Sequence, residues 1–226
     1  SVWWALQSFF DQGLLYQAYK VVWWWPQGGT ALSAGEVGQG YKDVEDPSVF
    51  VRFPVAGKEN TSLLAWTTTP WTLPSHVALA VREDFDYVAV KIASGETLIL
   101  AEELVPAVLG KDTEHDVVLR MKGKELVGTK YEPPFRYAEP EGGVSYEVVS
   151  ADFVSLDTGS GIVHVAPAFG EDDFRLRKEK GLGFLQLVRP DGTFAPEVTE
   201  FAGRFCKEAD RDIIRNLRQR GILFKE

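Results

Sequence analysis

The chain is 226 residues long and 45% apolar, with seven Trp and fourteen Phe, so it can bury a real core as one larger domain or a domain with satellites. Its 24 Lys and Arg against 33 Asp and Glu leave a formal charge of -9, which excludes wholesale electrostatic binding to nucleic acid and confines any RNA contact to a local patch. A single cysteine, Cys206, excludes an internal disulfide, and no apolar run suits a membrane span or a secretory signal, so a cytoplasmic protein is expected.

Val2, Trp3, Leu6, Phe9 and Phe10 fall near helical spacing, and Gly13 is placed to end that helix. A chain beginning inside an apolar helix is expected to be cut from something larger. YKVVWWWPQGGTALS then reads as a short strand broken by Pro26 and the pair Gly28 and Gly29. Further β-like runs at 50–54, 62–69, 86–92, 96–101 and 116–121 are spaced as in a barrel or sandwich. AEELVPAVLG reads as a short helix stopped by Gly110, and PFRYAEPEGG over 134–143 as a loop.

A second β block follows at SYEVVSADFVS and GIVHVAP, then a helix in EDDFRLRKEKGLG with acids in its first turn and bases in its last, which suits the helix dipole. In the tail, Phe205, Ala209, Ile213 and Leu217 stand four apart and predict an amphipathic helix. Its remaining positions are rich in Arg and form either a solvated face or a docking surface for RNA or another domain. The fold class is therefore α+β and β-rich, barrel-like with peripheral helices.

The chemistry concentrates in two stretches. In WTTTPWTLPSH three hydroxyls end at Pro70, which cannot continue a strand ladder, so the chain must turn there with hydroxyls and backbone groups exposed, as at a pocket lip. In DTGSGIVHVAPAFGEDDF, alternation puts Ile162 and His164 on one face of a strand and Val163 and Val165 on the other. His164 is then a hydrogen-bonded core residue or a site residue. The acids Glu171, Asp172 and Asp173 cap the following helix or supply a carboxylate near the end of the histidine's strand.

A Ser160, His164 and Asp173 triad is disfavoured, because the GxSxG elbow is absent and four extended residues separate Ser160 from His164 by roughly 13 Å. No HxxxH or CxxC spacing and no Gly-rich phosphate loop occurs, so no metal site is predicted. His115, among charges, reads as a surface turn residue, and His76 as either pocket wall or loop surface.

Together, WTTTPWTLPSHVALAV and GSGIVHVAPAFGEDDF, with LVGTKYEPPF between them and YKDVEDPSVFVRFPV before, resemble the editing domain inserted in the catalytic domain of isoleucyl-tRNA synthetase. The similarity covers essentially the whole chain. The valyl and leucyl relatives would carry Arg at the place of Thr69 and an acid at the place of Trp71. The synthetic-site signatures HIGH and KMSKS are both missing, as in an excised fragment. The resemblance implies one editing domain over 1–226, with 1–40 and 200–226 as stem segments towards a parent catalytic domain.

It also implies hydrolysis of valine wrongly attached to isoleucine tRNA, and of valyl-adenylate. A pocket shaped for Ile discriminates against Val, one methylene smaller, by only roughly 10–200-fold, a limit of which isoleucyl-tRNA synthetase is itself the familiar instance. A second sieve rejects Ile by overpacking, which costs ~1–3 kcal/mol.

By the resemblance, Asp173 holds the substrate's α-ammonium, with Asp172 its neighbour or a helix cap. Thr67, Thr68 and Thr69 hold the aminoacyl ester and the terminal adenosine, and Thr69 also shapes the side-chain pocket. His164 faces the substrate side chain and ribose as a size gate, and Trp71 supports the lip. At the place of His76 the family often has Asn. Many relatives carry a zinc half-site where this chain has Trp25 and Gly28, so zinc is not expected; ATP would belong only to the missing catalytic domain. The expected partners are the 3′ end of isoleucine tRNA carrying valine, valyl-adenylate and the parent catalytic domain, with no membrane. A tRNA-binding module without turnover, and a sister editing domain for another amino acid, are the competing readings.

Overall fold

The computed structural model describes residues 2–111 and 113–226. Helix α1 (Val2–Asp11) ends at Gly13, whose φ of +70° gives the left-handed stop the sequence predicts. A two-stranded hairpin follows, β1 (Trp23–Trp25) and β2 (Thr30–Leu32), turning through Pro26 to Gly29. Helix α2 (Ala34–Gly38), not anticipated from the sequence, is set by a capping box: Ser33 Oγ accepts the Glu36 N–H, and the Glu36 carboxylate accepts the Ser33 N–H at 2.7 Å.

The body runs β3 (Val49–Pro54), β4 (Thr61–Thr67), β5 (Ala78–Val81), β6 (Asp86–Ile92), β7 (Thr97–Ala101), α3 (Val105–Leu109), β8 (His115–Lys122), α4 (Gly123–Leu126), β9 (Val148–Ser150), β10 (Val163–Val165), α5 (Glu171–Lys180), α6 (Asp210–Gln219) and β11 (Leu223–Lys225). Among the described residues β3 to β11 form one sheet, ordered β8-β6-β7-β4-β10-β5-β9, with β3 on the other edge of β4 and β11 outside β3. The sheet is curled into a half-barrel with helices at its periphery, so the expected fold class holds.

Strand β4 is the fork of this sheet. One edge pairs antiparallel with β3 along its whole length. The other pairs parallel first with β7 through Thr61–Leu63, then with β10 at Trp66. The two partners diverge where Gly161, with φ +73°, approaches β7; a Cβ there would lie 2.4 Å from that of Ala101, so only glycine fits. Both faces are packed: Phe53 and Leu63 lie on one side of the sheet and Leu64, Leu98 and Leu100 on the other, all fully buried.

The sequence expectations need two corrections and one addition. The tail helix begins at Asp210, after a 3-10 turn over Cys206–Ala209, so Phe205 lies outside it although Ala209, Ile213 and Leu217 are the buried stripe. Residues after the helix form β11, which pairs with β3. The segment Ala78–Val81 is a strand in its own right, buried on both faces and so without alternation.

The terminal segments differ in packing. Helix α1 and the β1–β2 hairpin contribute no buried residue, while Phe201, Cys206, Ile213, Ile214 and Leu217 enter the core. Much of the tail's basic bias is engaged within the chain: Arg204 pairs with Asp212 at 2.6 Å, Arg218 with Glu226, and Arg220 donates to the Pro134 carbonyl at 2.6 Å. No helix among the described residues is long and apolar enough to cross a membrane.

Candidate active site

Strand β4 stops at Thr67 because Pro70 lacks the N–H a ladder requires, and Pro70–Ser75 instead winds into a 3-10 turn with Thr69 as its N-cap. The threonines after the strand hold one another. Thr67 Oγ1 accepts the Thr69 N–H at 3.1 Å and lies 3.2 Å from Thr69 Oγ1, which lies 3.2 Å from Thr72 Oγ1. Thr72 in turn donates to the Thr69 carbonyl at 2.8 Å. Thr67 is buried and Thr69 half-buried, whereas Thr68 is exposed at the lip.

Strand β10, lodged between β4 and β5, brings His164 to the same place. Its Nε2 stands 2.9 Å from Thr72 Oγ1, and burial pushes its imidazole down to about 3. The loop leaving β10 carries Ala166 to the start of α5, where Asp173 Oδ2 accepts the Ala166 N–H at 2.8 Å. Gly170 leaves the room this needs, since a Cβ there would meet that oxygen at 2.9 Å. Burial raises the Asp173 carboxyl to about 6; the Ala166 N–H pulls the other way, and Asp172 adds to the rise.

These elements enclose an open cleft of about 460 Å³, lined among others by Thr67, Thr68, Thr69, Trp71, His164 and Asp173. The Trp71 ring meets Phe169 edge-on at 5.0 Å, closing one side. Its backbone N–H donates to Asp210 Oδ1 at 2.8 Å, which ties the lip to the first residue of α6.

Six of the eight predicted site residues thus face one cavity. The other two lie elsewhere. His76, in the link between the 3-10 turn and β5, is 1% exposed, so it is neither on the loop surface nor part of the cleft wall, and it sits one layer behind His164 with its Nδ1 2.6 Å from His164 Nδ1. Asp172 points outward and pairs with Arg175 at 2.8 Å in an exposed ion pair. Sequence reasoning missed Thr72, whose signal was its three-residue spacing from Thr69 in a turn, and Tyr131, whose hydroxyl lies 2.7 Å from His76 Nε2 and which no local pattern announces. Ser160 also lines the cleft, but its hydroxyl is 3.3 Å from the Ile162 carbonyl and 3.4 Å from the Ile162 N–H, bonded to its own loop.

No group of three or more His, Cys, Asp or Glu is placed to hold a metal among the described residues. At the hairpin where the sequence resemblance would put a zinc half-site, the Trp25 ring lies over Gly28, so close that a Cβ on Gly28 would be 2.1 Å from it. An indole and a glycine offer no thiolate, so these residues do not fit zinc.

The model of the class I tRNA synthetases (I, L, M and V) matches residues 1–188. The chain belongs to that family. It is 49% identical to the isoleucine–tRNA ligase of Clostridium acetobutylicum over 225 residues, covering 100% of this chain and 21% of that one. It is 47% identical to the isoleucine–tRNA ligase of Thermus thermophilus over 231 residues, with 100% and 21% covered. The chain therefore spans about a fifth of the length of the curated relatives it matches.

Among solved structures, GlLeuRS-CP1 superposes with a TM-score of 0.64 at 15% identity, over 80% of this chain and 97% of that one. The editing domain of the Plasmodium falciparum cytosolic leucyl-tRNA synthetase does so at 0.59 and 8%, over 78% and 98%. The fold of this class I synthetase segment is accordingly that of an editing domain, and its sequence resembles the isoleucine enzymes throughout.

Proposed function

We propose that this segment is the second sieve of an isoleucyl-tRNA synthetase, a cytoplasmic hydrolase that removes valine from isoleucine tRNA and cleaves valyl-adenylate. The observation that carries this reading is the placement of one half-buried carboxylate, Asp173, across a cleft from the hydroxyl-bearing end of β4. An ester of an amino acid needs such a pair: an anion for the α-ammonium, and donors and acceptors for the ester and ribose.

Asp173 spends one oxygen on Ala166 and keeps the other for the ammonium. Thr67, Thr68 and Thr69 hold the ester and the terminal adenosine. His164 and Thr72, locked to each other, form a wall that cannot retreat for the extra methylene of Ile. Neither histidine is basic enough to take a proton from water, because burial holds both below their usual range. Catalysis therefore rests on positioning a water near the ester carbonyl, assisted by the free hydroxyl of the terminal ribose. Residues 1–40, whose apolar side chains are largely exposed, are the stem towards the parent catalytic domain.

The test is deacylation of valyl- and isoleucyl-tRNA of the isoleucine type, beside Asp173→Ala and an uncatalysed control. The expected result is loss of valine alone, abolished by the substitution. No rate above the control for either ester would favour a tRNA-binding module without turnover, and release of a different amino acid would favour a sister editing domain.

A further inference from the structure

From the cleft wall inward runs a row of polar groups whose donor and acceptor roles all follow once the proton of Thr72 is placed. The Thr69 carbonyl, which also takes the Thr72 N–H at 2.9 Å, can only accept, and at 2.8 Å it is the nearest of the three contacts of Thr72 Oγ1, ahead of His164 Nε2 at 2.9 Å and Thr69 Oγ1 at 3.2 Å, so the single hydroxyl proton is placed on it. Towards His164, 2.9 Å off, Thr72 can then only accept, and His164 must carry its proton on Nε2. His164 Nδ1 is left bare, yet it stands 2.6 Å from His76 Nδ1. Two bare lone pairs cannot meet at that distance, so His76 carries its proton on Nδ1 and donates it. His76 Nε2 is then an acceptor, and Tyr131 donates its hydroxyl to it at 2.7 Å.

The ring geometry agrees. The two imidazole centroids are 4.9 Å apart with planes 25° apart, which matches a 2.6 Å in-plane contact plus two ring radii, edge to edge. Phe53 at 4.9 Å and Tyr146 at 6.5 Å flank His76 and leave it no other polar partner among these rings.

We propose that His76, anchored by Tyr131, is a positioning residue: it donates to His164 and thereby holds that residue as the neutral Nε2–H tautomer, with its ring and Thr72 fixed as the rigid wall of the cleft. The row runs one way, from Tyr131 through His76, His164 and Thr72 to the Thr69 carbonyl at the lip. Removing His76 would free His164 Nδ1, allow either tautomer, and let the ring tilt. The expected consequence is a loss in turnover and in size discrimination rather than in substrate affinity.

The experiment is 15N spectroscopy of the imidazoles in the 226-residue chain at neutral pH, beside His76→Phe and the donor-preserving His76→Asn. The proposal expects a protonated, pyrrole-type Nε2 and a pyridine-type Nδ1 for His164, with the reverse for His76. In His76→Phe the His164 signals should move to averaged positions, and in His76→Asn they should stay. A protonated Nδ1 on His164 in the unsubstituted chain would overturn it, whether or not the variants fold. The kinetic arm rests on the editing reading, whereas the spectra do not: His76→Phe should lower kcat for valyl-tRNA deacylation about tenfold, as for one lost buried hydrogen bond, with KM within about twofold and kcat recovered in His76→Asn. Unchanged kcat in His76→Phe, with the unsubstituted chain active, would equally overturn it. Inactivity throughout would count against the editing reading, and the spectra would still decide on the relay.

Discussion

Asp173 shows how a single carboxylate is tuned by its place. As the third residue of α5 it sits where the helix dipole favours an anion, yet burial dominates and lifts its carboxyl to about 6. At neutral pH most of it is ionised, and an arriving ammonium would stabilise that charge further. Below about pH 6 the free carboxyl takes up a proton, and in the proposed role it would then lose its hold on the ammonium. The expected outcome is a kcat/KM for valyl-ester hydrolysis that falls as pH drops through about 6, read from a pH–rate profile, since that ratio reports the free protein. The acid limb should vanish, together with most of the rate, in Asp173→Asn. A profile flat from pH 7 to pH 5 in the unsubstituted chain would remove Asp173 from the ammonium role.

The short elements carry what the sequence reveals least. The hydroxyl strand, the His164 strand and the acid-led helix were legible because each has a local mark: a threonine run cut by Pro70, alternation into Pro167, and Glu171 to Asp173 opening a segment that closes in Arg177, Lys178 and Lys180. Strand β5 escaped because both of its faces are buried, and β11 because three residues are too few to show a period. Thr72 and His76 meet His164, and Tyr131 meets His76, only through pairings 55 to 92 residues apart in the chain, which no spacing encodes. The same holds for the tie between α6 and the lip, where Asp210, 4% exposed, accepts the Trp71 N–H. Truncating it in Asp210→Ala leaves that N–H without its acceptor and should cost ~1–3 kcal/mol of stability by urea denaturation at pH 7. Because Trp71 lines the cleft, KM for the valyl ester should rise with it; a variant unaltered in both would show the tie to be idle.

At the scale of the whole molecule, buried titratable groups of opposite sign set how stability follows pH. Burial lowers His164 to about 3 and holds His76 well below its usual value, so between the unfolded value near 6.5 and those depressed values the unfolded chain binds protons that the native chain refuses. Their contribution is whole above pH 6.5 and is lost as pH falls. Asp173 and Asp210 do the reverse. Both are raised to about 6 by burial, so from about 6 down to the unfolded value near 3.8 the native chain binds the extra protons and gains stability. From pH 6 to pH 4 the two pairs oppose each other at up to about 1.4 kcal/mol per pH unit per proton, and their sum is nearly flat. Substitution should expose the hidden slopes. Relative to the unsubstituted chain, His164→Asn should be destabilised at pH 7 and recover on acidification to pH 4.5, because it lacks a group that resists protonation. Asp210→Asn should move the opposite way, close to neutral or stabilised at pH 7 and relatively weaker at pH 4.5, having lost a carboxyl whose protonation favours the fold. Urea midpoints of both variants at the two pH values decide the matter: opposite trends place both groups in the environments the fold gives them, and parallel trends would mean that at least one of them titrates as if exposed.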